Sequence, residues 1–90
     1  MRIVNQDKNM DLPYENTTVF VEGGYGNMFV IVANVGKVEE YEIGVYSTKK
    51  KASDVMDRIR ANYIRYKMID NITRDVDRVR YTIFEMPQDK

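Results

Sequence analysis

The first half of the chain contains five short segments whose hydrophobic pattern is typical of β-strands. These segments are residues 1–5, 10–14, 17–22, 28–34 and 40–46. Two of them, 17–22 and 28–34, are rich in β-branched and aromatic residues, and 40–46 alternates with a period of two. Clusters of Gly, Asn, Asp and Lys between the segments favour turns. We therefore predict five consecutive strands, the second at a sheet edge because Pro13 has no N–H to donate.

The apolar period changes to three and four residues after Ser47. One apolar stripe at this spacing is formed by Ala52, Val55, Met56, Ile59, Tyr63 and Tyr66. This spacing is typical of an amphipathic helix with one buried face. Ser47 is the predicted N-cap, because its hydroxyl can accept a hydrogen bond from a free backbone N–H. We expect the helix to end at about Met68 or Ile69.

Residues 78–86 alternate again and predict a last strand, closed by Pro87. In this strand one face would carry Val79, Tyr81 and Ile83, and the other Arg80, Thr82 and Phe84. The predicted order is therefore β-β-β-β-β-α-β. It indicates an α+β fold, an antiparallel β-sheet with one long amphipathic helix packed on one face. The length of 90 residues favours a single domain, 1–90.

The same periodicities predict the core. The residues expected to be mostly buried are Val19, Val21, Phe29, Ile31, Ile43, Val45, Val55, Met56, Ile59, Tyr81 and Ile83. One helix cannot cover both faces of a sheet, so Phe20, Tyr46 and Phe84 are expected on the face away from the helix. They would form an uncovered apolar patch there. A homodimer through the sheet or its edge would cover this patch.

The composition excludes several kinds of chemistry. The chain has no Cys and no His, which rules out disulfides, thiol catalysis, cysteine zinc sites and a Ser-His-Asp triad. No apolar run approaches the ~20 residues that span a membrane, and the first residues lack the apolar core of a signal peptide. We expect a cytoplasmic protein with no catalytic site, metal or cofactor.

Two further motifs have simple structural explanations. The loop Gly23-Gly24-Tyr25-Gly26 opens a strand, whereas phosphate-binding glycine loops open a helix, so a hairpin turn is favoured. Two groups of acids, Glu39-Glu40-Glu42 and the pair Asp75 and Asp77, have the composition of acid–base or Mg²⁺ sites. Their position beside turns and arginines favours surface ion pairs instead.

Charge is distributed unevenly along a chain with 14 basic and 14 acidic residues. Residues 1–47 carry three basic and seven acidic residues, and residues 48–90 carry eleven and seven. The candidate partner-binding residues are Lys49, Lys50, Lys51, Arg58 and Arg65. Tyrosines among these cations favour a phosphate backbone as partner, but an acidic protein surface, the acidic half of another copy and a simply solvated helix face all remain open.

Four patches of the chain resemble small uncharacterised proteins from phages and prophages of Gram-positive bacteria. Residues 1–7 and 11–15 are similar to the "MRIISQDG" and "DLPYE" of that family, 46–52 to its "YSTEEKA", and 84–89 to its "F-Q-F-P-x-D" tail. The chain departs from the pattern at Lys49 and Lys50, where the family usually has Glu. The resemblance implies a phage or mobile-element origin and an intracellular role, and it transfers no functional residue.

Two functions of different class fit these observations. The first is a non-enzymatic accessory protein that acts by protein–protein contact on an unknown host or phage protein. Inhibition of a host nuclease or defence complex, as by an anti-CRISPR protein, is one instance. The second is direct nucleic-acid binding through the basic helix face. Binding to phosphates weakens steeply with salt, which distinguishes the two.

Overall fold

Two three-stranded sheets and one long helix make up the part of the chain that the computed structural model describes, residues 1–36, 38–70 and 80–89. The first sheet has the order β2-β1-β6, formed by β1 (Arg2–Val4), β2 (Asp11–Pro13) and β6 (Ile83–Glu85). The second has the order β3-β4-β5, formed by β3 (Thr17–Gly23), β4 (Phe29–Val35) and β5 (Glu39–Tyr46). The helix α1 spans Lys49–Asp70.

The predicted α+β class and element order are confirmed, with one difference in the sheets. Pairing is antiparallel throughout the second sheet and between β1 and β2. However, β6 pairs with β1 in parallel, and the strands divide into two sheets instead of one. A parallel pair needs a long crossover, and the chain between β1 and β6 contains the whole second sheet and α1.

The core lies between the second sheet and α1. Along β4, Ile31 and Ala33 are fully buried in the main hydrophobic cluster, together with Ala52, Val55 and Ile59 of the helix. The opposite face of this sheet, which we call the outer face, carries Phe20, Val30, Val32 and Val45, because these residues alternate with the core residues and lie opposite one another across the strands.

A β-bulge in β5 changes which of its residues reach the core. Ile31 pairs with Gly44 and the next residue, Val32, pairs with Glu42, so Ile43 is an extra residue between them. Both Ile43 and Tyr46 therefore belong to the core, and each is 1% exposed. The prediction that Tyr46 faces away from the helix is wrong for this reason. Burial also raises the pKa of Tyr46 to about 12.

The last strand is shorter than predicted and has the opposite phase. Residues 80–82 are helical, so Tyr81 is not in a strand. Phe84 is buried beside Ile3, its partner in β1, whereas Ile83 is 49% exposed. The expected burial of Ile83 and exposure of Phe84 are both wrong, because pairing with Ile3 directs Phe84 into the core. Residues 71–79, including Asp75, Asp77 and Val79, lie outside the described residues.

The other predicted core residues agree in part. Four are buried, namely Ile31, Ile43, Val55 and Ile59, and six are partly buried, namely Val19, Val21, Phe29, Val45, Met56 and Tyr81. Val45 lies on the outer face, so its predicted place in the core is wrong. Buried residues that the periodicities did not predict come largely from the first sheet and the tail: Met1, Ile3, Leu12 and Met86.

Gln6 joins the two sheets and the C-terminal tail. Its amide Nε2 donates to the Val45 carbonyl at 3.1 Å, and its Oε1 accepts the Val45 N–H at 2.7 Å, so the side chain pairs with the edge of β5 as a strand residue would. The same Nε2 donates to the Pro87 carbonyl at 3.0 Å. In return, Gln88 donates to the Gln6 carbonyl at 2.8 Å. One side chain thus positions residues 87–88 against β5.

Ile59→Ala is expected to lower the free energy of unfolding by about 2–4 kcal/mol, because it removes a fully buried side chain and leaves a cavity. The matched control is Ile64→Ala on the same helix, where the side chain is 59% exposed and the change should be within about 0.5 kcal/mol. Urea unfolding measures both. Similar losses for the two variants would contradict the assigned buried face.

Gln6→Glu is expected to destabilise the protein by about 1–3 kcal/mol, because a carboxylate cannot donate to the Val45 and Pro87 carbonyls. Gln88→Glu makes the same chemical change at an exposed side chain with one such bond and should cost less. Urea unfolding at neutral pH compares them. Equal stability of Gln6→Glu and the parent would show that this joint is unimportant.

Candidate functional site

The helix begins with Thr48, not Ser47, as its cap. Thr48 Oγ1 accepts the Lys51 N–H at 3.1 Å, and the Thr48 carbonyl accepts the Ala52 N–H at 3.2 Å. The prediction of Ser47 as N-cap is wrong by one residue, because the Ser47 hydroxyl binds the Asp89 carboxylate at 3.2 Å instead. Ser47 therefore connects the helix start to the C-terminal tail.

Asp89 places a negative charge at the positive end of α1. Its carboxylate lies 3.3 Å from Lys51 Nζ. The Ser47 backbone, followed by the Lys51 ammonium and the Ser47 hydroxyl, holds the pKa of Asp89 below its ordinary value. An acid near the N-terminus of a helix interacts favourably with its dipole. Asp89 thus offsets the unfavourable run of lysines in the first helical turn.

The five candidate residues divide between different sides of α1. Lys51, Arg58 and Arg65 follow one another at intervals of seven residues, so they lie on one side of the helix and are separated by about 10 Å along its axis. We call these three residues the basic flank. Lys50 points elsewhere and pairs with Asp54 at 3.1 Å. Lys49 lies about 160° around the helix from Lys51 in angular position, so the five do not form one patch.

A groove runs along the basic flank, between α1 and the C-terminal segment. Its first part lies between Lys51 and Arg58 on the helix and Pro87 and Gln88 on the tail, with Tyr46 at its base. Its second part continues beyond Arg58 and is lined by Asn62, Arg65, Tyr81 and Phe84, with Ala61 beside them. Arg58 belongs to both parts. The groove therefore carries a cation at its start, middle and end.

Aromatic rings hold the two arginines of the basic flank. The Arg58 guanidinium carbon lies 6.0 Å from the centre of the Phe84 ring. The Arg65 guanidinium carbon lies 5.8 Å from the centre of the Tyr81 ring, and its Nη1 donates to the Tyr81 hydroxyl at 3.1 Å. Such cation–π contacts order a guanidinium without neutralising it. The flank thus presents two pre-positioned positive charges.

Neither of these arginines has a carboxylate partner among the described residues, where the ion pairs involve other side chains. Lys51, in contrast, is paired with Asp89. The uncompensated charge of the groove therefore lies at Arg58 and Arg65. The flank is reinforced by Arg80, whose guanidinium carbon lies 5.8 Å from the Tyr81 ring centre.

Arg80 and the exposed edge of Tyr81 were missed by the sequence analysis. Their assignment to a strand placed Tyr81 in the core and Arg80 on the opposite face, whereas residues 80–82 are helical. The cluster of Arg74, Arg78 and Arg80 in the sequence was the available signal. It did not indicate the groove, because only the folded chain brings Arg80 close to α1.

The other candidate motifs have structural roles. The loop after β3 closes the hairpin to β4, with the Gly24 N–H bonded to the Met28 carbonyl at 2.9 Å, as expected. Glu39 accepts a hydrogen bond from the Tyr41 hydroxyl, and this bond raises the pKa of Tyr41. Within the described ranges, no group of three acids is arranged to hold a metal ion, and no helix is long and apolar enough to cross a membrane.

Lys51→Gln is expected to raise the pKa of Asp89, because the variant loses one of the groups that favour the charged carboxylate. Lys50→Gln is the control and should leave Asp89 unchanged, because Lys50 pairs with Asp54. An NMR titration of the Asp89 carboxyl carbon measures both. The same titration of Asp89 in Lys51→Gln and the parent would contradict the contact.

The sign of the pH effect on stability follows from the lowered pKa. Because the folded-state pKa of Asp89 is depressed, its contacts stabilise the protein above the unfolded-state pKa. This stabilisation is lost as the pH falls through the folded-state pKa. Asp89→Asn should therefore reduce stability at neutral pH and make little difference in strong acid.

No protein family, curated protein or solved structure matches this chain. The assignment of a function therefore depends on the basic flank, the groove beside it and the groups that hold them in place.

Proposed function

We propose that the protein is a non-enzymatic binding module that contacts an acidic surface of another protein through the basic flank. The observation that carries this proposal is the pair Arg58 and Arg65, ordered on Phe84 and Tyr81 and left without carboxylate partners among the described residues. Ordered side chains lose less conformational entropy on binding, which favours a defined contact.

The chemistry of the groove fits carboxylates presented by a folded partner. Each guanidinium offers a planar set of N–H donors that matches a carboxylate in two-point contact. The rings of Tyr81 and Phe84 lie directly beside these donors and provide apolar area. Arginine and aromatic residues together are typical of the centres of protein interfaces. The attraction is local, since the whole chain has no net charge.

Nucleic-acid binding is the second candidate, and the combination of Arg65, Arg80 and Tyr81 favours it. Basic residues beside an exposed ring are typical of single-strand binding surfaces. Two acids oppose this interpretation, because Asp54 lines the groove and Asp89 pairs with Lys51 at its start. A phosphate backbone running along the groove would approach both carboxylates, whereas a protein surface of mixed charge can place cations there.

The resemblance of the ends of the chain to small phage and prophage proteins supports a host or phage protein as the partner. Inhibition of a host nuclease or defence complex is the specific form of the proposal, with the host cytoplasm as its place of action. The groove supplies a contact surface of the kind that such an inhibitor needs. Its acidic partner would be recognised by carboxylates, not by a shared substrate.

The test compares two double variants with the same change in net charge. Arg58→Glu with Arg65→Glu reverses the flank, and Arg60→Glu with Lys67→Glu is the control elsewhere on α1. Tagged parent, flank variant and control are used to capture proteins from a lysate of a Gram-positive host. We expect the same partner with the parent and the control and a loss of at least about ten-fold with the flank variant, because hydrogen bonds to charged groups contribute about 1.5–3 kcal/mol each.

Binding of the purified partner then separates the two candidates. For a protein partner, flank reversal should also slow association. For nucleic acid, short duplex and single-stranded DNA and RNA should bind in gel shifts, with an affinity that falls steeply as salt rises. Equal capture of the same proteins by the parent and the flank variant would contradict a role for Arg58 and Arg65.

A further inference from the structure

The outer edge of β3 is open among the described residues. The sheet order β3-β4-β5 leaves β3 paired on one side only. The Gly24 N–H donates to the Met28 carbonyl, which belongs to the same register as the β3–β4 pairs. Hydrogen-bonded pairs alternate along an antiparallel ladder. Even-numbered residues of β3 therefore bond to β4, and the backbone N–H and C=O groups of Val19 and Val21 point away from the sheet.

This edge lacks the features that usually prevent strands from pairing. The seven residues Thr17–Gly23 contain no Pro, Lys or Arg, and their register with β4 is regular from end to end. Natural edge strands are typically protected by such residues, by bulges or by a covering element. The opposite edge shows this protection, because Gln6 caps β5 at Val45. The contrast indicates that β3 has a partner.

The outer face beside this edge is apolar. Phe20 lies on it, opposite Val32 of β4, which is only 2% exposed. Val30 and Val45 continue the apolar strip to the far side of the sheet. Phe20 is therefore the end of a strip that is cut off at an open edge. A strand added at β3 would continue this strip.

We propose that β3 pairs antiparallel with β3 of a second copy, about a two-fold axis at Phe20, to give a homodimer with a continuous six-stranded sheet. The strand spans seven residues and Phe20 is at its centre, so this register alone pairs the strand over its full length. It places Val19 opposite Val21 of the second copy, as mutually hydrogen-bonded pairs formed by the groups that point outward.

The strand is complementary to itself in this register. Phe20 meets Phe20 of the second copy in a non-hydrogen-bonded pair, where side chains approach most closely and aromatic pairs stabilise sheets. Thr18 meets Glu22 of the second copy, so the two Glu22 carboxylates do not face each other. A two-fold axis at Val21 would instead place Phe20 opposite a glutamate. A second copy therefore fits this edge, and the dimer is a separate matter from the basic flank.

Cysteine cross-linking tests both the dimer and its register, since the chain has no Cys of its own. In the proposed dimer the two Phe20 Cβ atoms lie about 4.5–5.5 Å apart, close enough for a disulfide after a small adjustment. Phe20→Cys should cross-link to a covalent dimer under mild oxidation. Glu22→Cys is the matched control, because its two copies lie more than about 10 Å apart along the strands, and it should cross-link far more slowly.

Charge at Thr18 gives an independent test that leaves Phe20 intact. Thr18 is exposed, so its substitutions should not disturb the fold. Thr18→Arg should tighten the dimer by pairing with Glu22 of the second copy, and Thr18→Glu should weaken it. Light scattering across a concentration series measures the mass, which should rise from 10.6 kDa towards twice that value for the parent.

The outcomes are distinct from those of the proposed function, because neither Thr18 nor Phe20 touches the groove. A monomeric parent at high micromolar concentration overturns the dimer and leaves the edge to an extended segment of another protein. Cross-linking of Glu22→Cys in preference to Phe20→Cys overturns the register. Equal dimer affinities of Thr18→Arg and Thr18→Glu also overturn it.

Discussion

The side-chain amide of Gln6 is the contact on which the arrangement of this protein depends. It completes the edge of β5 by pairing with both backbone groups of Val45, and it holds the Pro87 carbonyl with the same nitrogen. A primary amide is suited to this role because it donates and accepts at one position, as a peptide group does. The two small sheets and the tail are therefore connected through a single residue from the turn after β1.

The groove is a consequence of that connection. With Pro87 fixed, its carbonyl also accepts the Tyr46 hydroxyl at 2.8 Å, and Asp89 reaches Ser47 and Lys51 at the helix start. Phe84 is drawn inward by its pairing with Ile3. The tail thus lies along one side of α1 and forms the wall against which Arg58 is ordered. The candidate site is built by residues distant in sequence that meet through the core.

The two sides of the molecule are treated differently. The β5 edge is capped by Gln6, and the neighbouring groove carries the ordered arginines. The β3 edge has no such cap among the described residues, and it is uncharged apart from Glu22 near its end. An unpaired strand edge is a strong template for another strand. A fold of this size buries a modest fraction of its surface, so association at β3 would add to its stability.

Local pattern predicted the elements of this protein but not their assembly. Strand and helix positions followed from periods of two and of three to four, because these patterns reflect short-range geometry. The bulge at Ile43 was not predictable, since it depends on pairing with β4 and shifts Tyr46 into the core. The phase of β6 was likewise decided by its contact with Ile3, not by its own alternation.

The candidate site shows the same division. The sequence by itself determined that α1 is amphipathic and basic, and it named Lys51, Arg58 and Arg65 among five candidates. Tertiary structure alone decided that these three line one groove, that Lys50 is engaged by Asp54, and that Tyr81 and Phe84 hold the arginines. The physical reason is that helical periodicity is local, whereas the wall of the groove comes from a tail held in place by Gln6, some eighty residues earlier in the chain.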